Sequence, residues 1–217
     1  MKYVLFGVSC FVLIVAFVFA ASYYKGRQAE KYGFMAQENA STFIRDHSPT
    51  LGSDSARVYL VEFMDPACET CAAFSPFVKQ MLGAFPGQIK LVLRYAPFHQ
   101  GADYFVKILE AARKQGKYWE TLDVMYKSQP YWASHHNPQP EKIWQFLPAA
   151  GLDLERIRKD MSDPAIAKLI EQDLADAKTL AVRKTPGFFV NGKPLQTFGS
   201  EQLLQLVRAE ISASYPK

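Results

Sequence analysis

The sequence predicts an α/β domain built on one mixed sheet, with helices on both faces and a helical insertion. Three observations carry this reading. Residues 57–95 run strand, short loop, helix, strand; residues 101 to about 182 are helical almost throughout; and strand, turn and helix return near the C terminus.

The first core strand falls at Arg57 to Met64, where Val58, Leu60, Val61 and Phe63 form a β-branched and aromatic run. A helix follows over Cys71 to Phe85. Phe74, Phe77, Val78, Met81 and Leu82 recur at helical spacing, and Pro86-Gly87 stops it. Ile89 to Tyr95 is the second strand and Pro97 ends it. The insertion carries apolar residues three or four apart over Tyr104–Lys114, Tyr118–Lys127, Glu141–Ala150, Leu154–Met161 and Ile166–Ala181. Pro130, Pro138 and Pro140 are expected to punctuate a loop holding His135 and His136, and Gly151-Leu152-Asp153 reads as a C-cap followed by an N-cap. Phe188–Val190, a turn at Asn191-Gly192, and Pro194–Thr197 form a predicted hairpin, and Ser200 caps a last amphipathic helix through Ile211.

Hydrophobic residues make up 49% of the 217 and charged residues 21%, enough apolar side chain for a substantial core, so disorder is not the expectation. Net charge is only +4, with lysine and arginine scattered among acids rather than gathered in a phosphate-binding stripe. Nucleic acid is excluded as a partner on that ground.

Residues 1–24 differ from the rest. The uncharged run from Tyr3 to Tyr24 reads as a membrane-targeting helix, and Val4 to Ala21 would span about 27 Å against a hydrocarbon thickness of roughly 30 Å. That length favours an uncleaved anchor over a secretory h-region of about 7–15 residues. A cleaved signal peptide ending near Ala20 stays open, because Val18-Phe19-Ala20 before Ala21 offers small residues for a peptidase. Both readings export the C-terminal body. Residues 25–53 are polar and mixed and are read as a linker, which leaves 54–217 as the folded domain.

Of the three cysteines, Cys10 lies inside the apolar run and reads as a small hydrophobe. Cys68 and Cys71 form a Cys-x-x-Cys pair between strand and helix. A bridge closing so short a loop removes little chain entropy, so a redox pair is the better reading than a structural one. No second pair or spaced histidines complete four zinc ligands, and no metal is expected. If Cys68 opens a helix, unpaired N–H groups and the positive end of the dipole favour its thiolate and make it the attacking sulfur. Cys71, three residues on and on the same face, is the resolving thiol.

Val61-Glu62-Phe63-Met64-Asp65-Pro66-Ala67-Cys68-Glu69-Thr70-Cys71, with Thr185-Pro186-Gly187-Phe188-Phe189-Val190-Asn191-Gly192 far downstream, resembles the DsbA-like branch of the thioredoxin superfamily. The resemblance covers roughly residues 55 to 215. It implies a thioredoxin-like mixed sheet flanked by helices, with a helical insertion at about 101–182, and a protein thiol:disulfide oxidoreductase whose only redox group is the Cys68–Cys71 disulfide. It makes Pro186 the cis-proline against that disulfide, and Thr185, Glu69 and Thr70 the residues facing substrate. Glu62, six residues before Cys68, matches a buried carboxylate that exchanges a proton with the resolving thiol; an outward residue in a surface pair is the other reading. His99 also resembles a recurrent feature of the branch, but a surface or capping role fits it as well and it stays outside the expected site.

The implied partners are exported proteins with thiols or disulfides and a membrane redox partner that resets the active site. The implied location is the bacterial inner membrane, single-pass with the domain in the periplasm, or the soluble periplasm after cleavage. A membrane-anchored copper carrier using the same cysteines is the alternative; a methionine- or histidine-rich approach to the pair would favour it, and the sequence has neither. Strong oxidants of the branch carry Pro-His between the cysteines, where this chain has Glu69-Thr70. The charge of Glu69 is expected to leave Cys68 less acidic than in those oxidants, shifting the potential towards the isomerase or reductase range.

Overall fold

A computed structural model describes residues 13–20, 23, 40–134 and 137–216. Residues 13–20 are helical, and the rest of the apolar run except Tyr23 lies outside the described residues, as do Cys10, His135 and His136. No helix among the described residues is long and apolar enough to cross a membrane. The anchor and signal-peptide readings therefore rest on sequence alone.

The folded unit begins at Ser41, earlier than the predicted boundary at residue 54. Its elements are α1 (Ala40–Phe43), β1 (Thr50–Gly52), β2 (Val58–Met64), α2 (Glu69–Ala84), β3 (Ile89–Tyr95), α3 (Ala102–Arg113), α4 (Tyr118–Trp132), α5 (Pro140–Ile143), a 3-10 turn (Leu147–Ala150), α6 (Leu154–Asp160), α7 (Pro164–Thr179), β4 (Gly187–Val190), β5 (Lys193–Pro194) and α8 (Ser200–Ser214). The sheet order is β1-β3-β2-β4-β5. β2 and β3 are parallel, the other pairs antiparallel, so the sheet is mixed as predicted.

β1 is the element the sequence hid, since three residues are too few to show alternation. It pairs Thr50 with Val92 and Gly52 with Lys90. A side chain at Gly52 would lie 2.4 Å from the Ile89 carbonyl oxygen, and its φ of 111° is open to glycine alone at low cost. Residues 41–53 are thus part of the domain and not linker.

Pro130 also departs from expectation. It sits inside α4, which runs on to Trp132 instead of breaking. Proline removes one ladder bond near the helix end. Burial of Trp132 offsets that loss: its ring packs 4.2 Å from Phe105, and its Nε1 donates to Met125 O and Ser128 Oγ. The expected helix at Glu141–Ala150 is instead the single turn α5 followed by the 3-10 turn, where Pro148 interrupts the regular ladder.

Strand alternation splits the sheet into two faces. Leu60, Glu62 and Met64 of β2 stand beside Leu91, Leu93 and Tyr95 of β3 on one face. Val61 and Phe63 share the other with Val92 and Arg94. Arg94 is wholly buried there. It donates to Asp173 Oδ1 (2.6 Å), Asp176 Oδ2 (2.5 Å) and Thr42 O (2.5 Å), and lies 5.3 Å from the Phe63 ring centroid. Asp173 also accepts from Tyr95 N at 2.7 Å, and Asp176 pairs with Arg45. This cluster clamps β3, α7 and the chain before β1. Burial alone would raise the pKa of Asp176; the bonds from Arg45 and Arg94 together outweigh it, and the carboxyl is held below its ordinary value.

Replacing Arg94 by methionine keeps the bulk but takes the buried cation away from two carboxylates, leaving Asp173 to His47 and the Tyr95 amide and Asp176 to Arg45 at the edge of the cluster. Urea denaturation at neutral pH is expected to show a loss of about 3–5 kcal/mol, the cost of breaking a buried ion pair from one side. A loss under about 1 kcal/mol would mean that the cluster is incidental to stability.

Candidate active site

β2 ends at Met64 and the chain turns over Asp65, Pro66 and Ala67 before α2 opens. The turn is built around Asp65, which is fully buried. Its Oδ1 accepts from Ala67 N at 2.8 Å; its Oδ2 accepts from His99 N (2.9 Å) and pairs with His99 Nδ1 (2.7 Å). Its own carbonyl accepts from Cys68 N at 3.0 Å. The buried Gln129 side chain holds Pro66 O at 2.9 Å from α4. Together these bonds fix where Cys68 stands.

Cys68 is the N-cap of α2, with extended φ and ψ and its sulfur accepting from Cys71 N at 3.4 Å. The helix start was expected at Cys71 and lies at Glu69. Both cysteines are reduced and buried, Cys68 5% exposed and Cys71 not at all. The Thr185–Pro186 peptide bond is cis, and Thr185 O lies 3.3 Å from Cys68 Sγ. Gly187 follows because a side chain there would come 2.8 Å from Val182 Cγ1. Thr185 and Pro186 therefore stand against Cys68, while Glu69 and Thr70 are exposed at the first turn of α2.

Electrostatics separates the two thiols. Hydrogen bonding from Cys71 is the largest influence on Cys68; burial opposes it, and the Thr185 side chain with the amides of Cys71 and Thr70 adds to it, which brings the pKa down from 9.0 to about 5. Glu69 does not figure among these causes. Glu69 is exposed, and the expectation that its charge governs Cys68 gives way to these larger hydrogen-bond contributions. Burial pushes the Cys71 thiol well above 9.0, and the charges of Glu62 and Cys68 push it further.

Glu62 lies between Leu93 of β3 and Phe188 of β4, only 4% exposed, rather than in a surface pair. Burial first, and the Cys68 charge second, raise it from 4.5 to about 8. Between about pH 5 and pH 8 the site thus holds a Cys68 thiolate, a neutral Glu62 and a neutral Cys71. Tyr126 is pressed up by burial and next by the charges of Cys71 and Glu62, which places it in the same field. The expected site lacked Asp65, Gln129 and Tyr126, and His99 was weighed and left outside it; of the first three only Asp65-Pro66, a turn-forming pair just before Cys68, carried a local signal.

The two opposed shifts make a signed prediction for the reduced protein. Glu62 binds its proton more tightly folded than unfolded, so its contribution to stability is full below about pH 4.5 and falls as pH rises to about 8. Cys68 is the reverse, gaining stability from about pH 5 to pH 9. Glu62→Gln removes only the falling part. The stability of the variant relative to the parent should rise between pH 5 and 8 by on the order of 1 kcal/mol per pH unit, read from denaturant midpoints. A pH-independent difference would place the Glu62 pKa near that of an ordinary carboxylate.

The thioredoxin family model matches residues 45–209. Among solved structures, a thioredoxin-like oxidoreductase from Silicibacter pomeroyi superposes with a TM-score of 0.69 at 27% identity, covering 81% of this chain and 98% of that one. BdbD from Bacillus subtilis gives 0.67 at 21% identity over 76% and 93%, and alpha-DsbA2 from Wolbachia pipientis 0.69 at 19% over 87% and 97%, which are likenesses of fold. Curated relatives include a Na(+)/H(+) antiporter NhaA of Herminiimonas arsenicoxydans, 31% identical over 145 residues, and NhaA 1 of Salinispora arenicola, 32% over 172. The matched segments are 67% and 78% of this chain but only 22% and 25% of those proteins, so the chain spans about a quarter of the curated relatives it matches. With the family match running from ahead of β1 into α8, and the DsbA-like solved structures sharing its architecture, this chain belongs to the thioredoxin family.

Proposed function

We propose that the protein is a thiol:disulfide oxidoreductase acting on exported proteins through Cys68 and Cys71. The single observation that carries this is the asymmetry of the pair: one acidic, helix-capping sulfur beside Thr185-Pro186, and one wholly buried, neutral thiol three residues on. A soft-metal carrier needs two thiolates open to the ion. Exchange needs one nucleophile and one protected resolving group.

In the reducing direction the Cys68 thiolate attacks a substrate disulfide, forming one S–S bond and breaking another; the displaced substrate sulfur leaves as thiolate and takes a proton from solvent. With Cys68 now in the mixed disulfide, its charge no longer holds the proton on Glu62, which gives that proton to solvent; Cys71 then passes its own proton to the Glu62 carboxylate and attacks Cys68 Sγ, and the second substrate sulfur leaves. Two electrons pass from the pair to the substrate. Oxidation runs the same steps backwards, with neutral Glu62 returning the proton to Cys71 as it leaves. The raised pKa of Glu62 suits both, since a carboxyl titrating near 8 carries a proton to give at neutral pH and loses it at little cost once the neighbouring charge is gone. Thr185, held against Cys68, is the edge along which a substrate segment aligns, with Glu69 and Thr70 at its rim.

A Cys68 pKa of about 5 falls between the ~7 of thioredoxin and the ~3.5 of DsbA. The disulfide is then a stronger oxidant than thioredoxin's and a weaker one than DsbA's. The oxidising side of a bacterial membrane suits that poise, in line with the apolar run ahead of the domain. A membrane partner would reset the pair. Sodium–proton exchange is named for relatives about four times the matched length, and no residue of this site bears on it.

Cys71→Ser should leave Cys68 able to attack but unable to release its substrate, so mixed disulfides accumulate and separate on non-reducing gels. Cys68→Ser should trap nothing. Equal trapping by both variants would overturn the assignment of roles.

A further inference from the structure

Beside Cys68 an open groove of about 520 Å³ runs from Thr70 and Thr185 to Leu195 and Phe198. Its far wall is apolar and fixed. Phe198 is 49% exposed, yet its ring packs 4.6 Å from Phe74 of α2, which in turn lies 5.9 Å from buried Phe188. The charged residues lining this groove are two, Arg183 and Lys184, and both are cations. Both are exposed, and neither makes an ion pair or side-chain hydrogen bond among the described residues. They immediately precede Thr185, whose carbonyl touches Cys68 Sγ.

From this we infer that the groove selects, for exchange at Cys68, protein segments that carry an acidic residue two or three positions from the reacting cysteine, with an apolar residue close by. The inference rests on the oxidoreductase reading and adds the charge and shape of the substrate. Two or three residues of extended chain reach about 7–10 Å, and Arg183 and Lys184 lie only two and one positions before Thr185, within about 7 Å of it along the backbone. A carboxylate at that offset meets both cations, and the neighbouring apolar side chain lies on Phe198 and Leu195. A basic residue at the same offset meets two like charges with no acid in the lining to relieve them, Glu69 standing outside the lining, next to Thr70 in sequence. At about 6 Å in a solvated groove each pairing is worth a factor of roughly three, and salt screens it.

The test uses the full chain in its oxidised form and three dithiol peptides that differ only in Asp, Ser or Lys three residues before the first cysteine. Each peptide gives two electrons and two protons to the Cys68–Cys71 disulfide and becomes a disulfide itself. Rate constants are followed by stopped-flow tryptophan fluorescence. At low ionic strength the Asp peptide is expected to react about tenfold faster than the Ser peptide and the Lys peptide about tenfold slower than it, each difference shrinking to two- or threefold in about 0.5 M salt. In Arg183→Ser/Lys184→Ser the order set by the groove should vanish, and in Arg183→Glu/Lys184→Glu it should invert, with far-UV circular dichroism confirming the fold. Identical rate ratios in parent and variants would overturn the inference while leaving the oxidoreductase reading intact. No exchange with any peptide would sink that reading, and this inference with it.

Discussion

The site is organised around one negative charge in a place with little water to hold it. Cys68 is nearly buried, and a bare thiolate there would revert to thiol unless the protein supplied donors. The start of α2 supplies them through the amides of Thr70 and Cys71, with the Cys71 thiol and the Thr185 side chain completing the set. Having accepted one charge, the site refuses a second. Glu62 and Cys71 both titrate high, each repelled by the ionised sulfur and each desolvated. The proton that Cys68 gives up and the proton that Glu62 retains are two sides of one electrostatic constraint. That constraint makes one cysteine a nucleophile and the other a protected reserve.

Holding the charge in place falls to parts of the fold far apart in sequence. Asp65 ties the turn before Cys68 to His99 after β3, and Gln129 reaches it from the insertion. β3 is clamped on its other face by Arg94 to Asp173 and Asp176 of α7, so both ends of the helical insertion are fixed to the strand beside Glu62. The insertion thus helps set the position of the active-site turn, besides covering the sheet.

Much of this was legible in the sequence because it is local. The β-branched run of β2, the spacing of Phe74, Phe77, Val78 and Met81 in α2, and the Asn191-Gly192 turn, both residues at positive φ, each express a rule of a few residues' reach. Cys68 and Cys71 were legible for the same reason. What escaped depends on distant partners. β1 is three residues stabilised only by β3, and Pro130 stays helical only because Trp132 is buried behind it. Asp65 and His99 are 34 positions apart, and nothing in either neighbourhood announces their bond. Glu69 drew too much weight in the opposite sense: adjacent to Cys68 in sequence, it is exposed, and the largest lowering influences on the sulfur come instead from Cys71 and Thr185.

The most direct test of this account is the ionisation of Cys68 itself, followed as thiolate absorbance near 240 nm in the reduced protein across pH 3–9, with Cys68→Ser as the blank. One thiolate should appear with a midpoint near 5, and no second one from Cys71 below about pH 9. A midpoint near 8.5, the value of a free thiol, would contradict it, as would two thiolates appearing together.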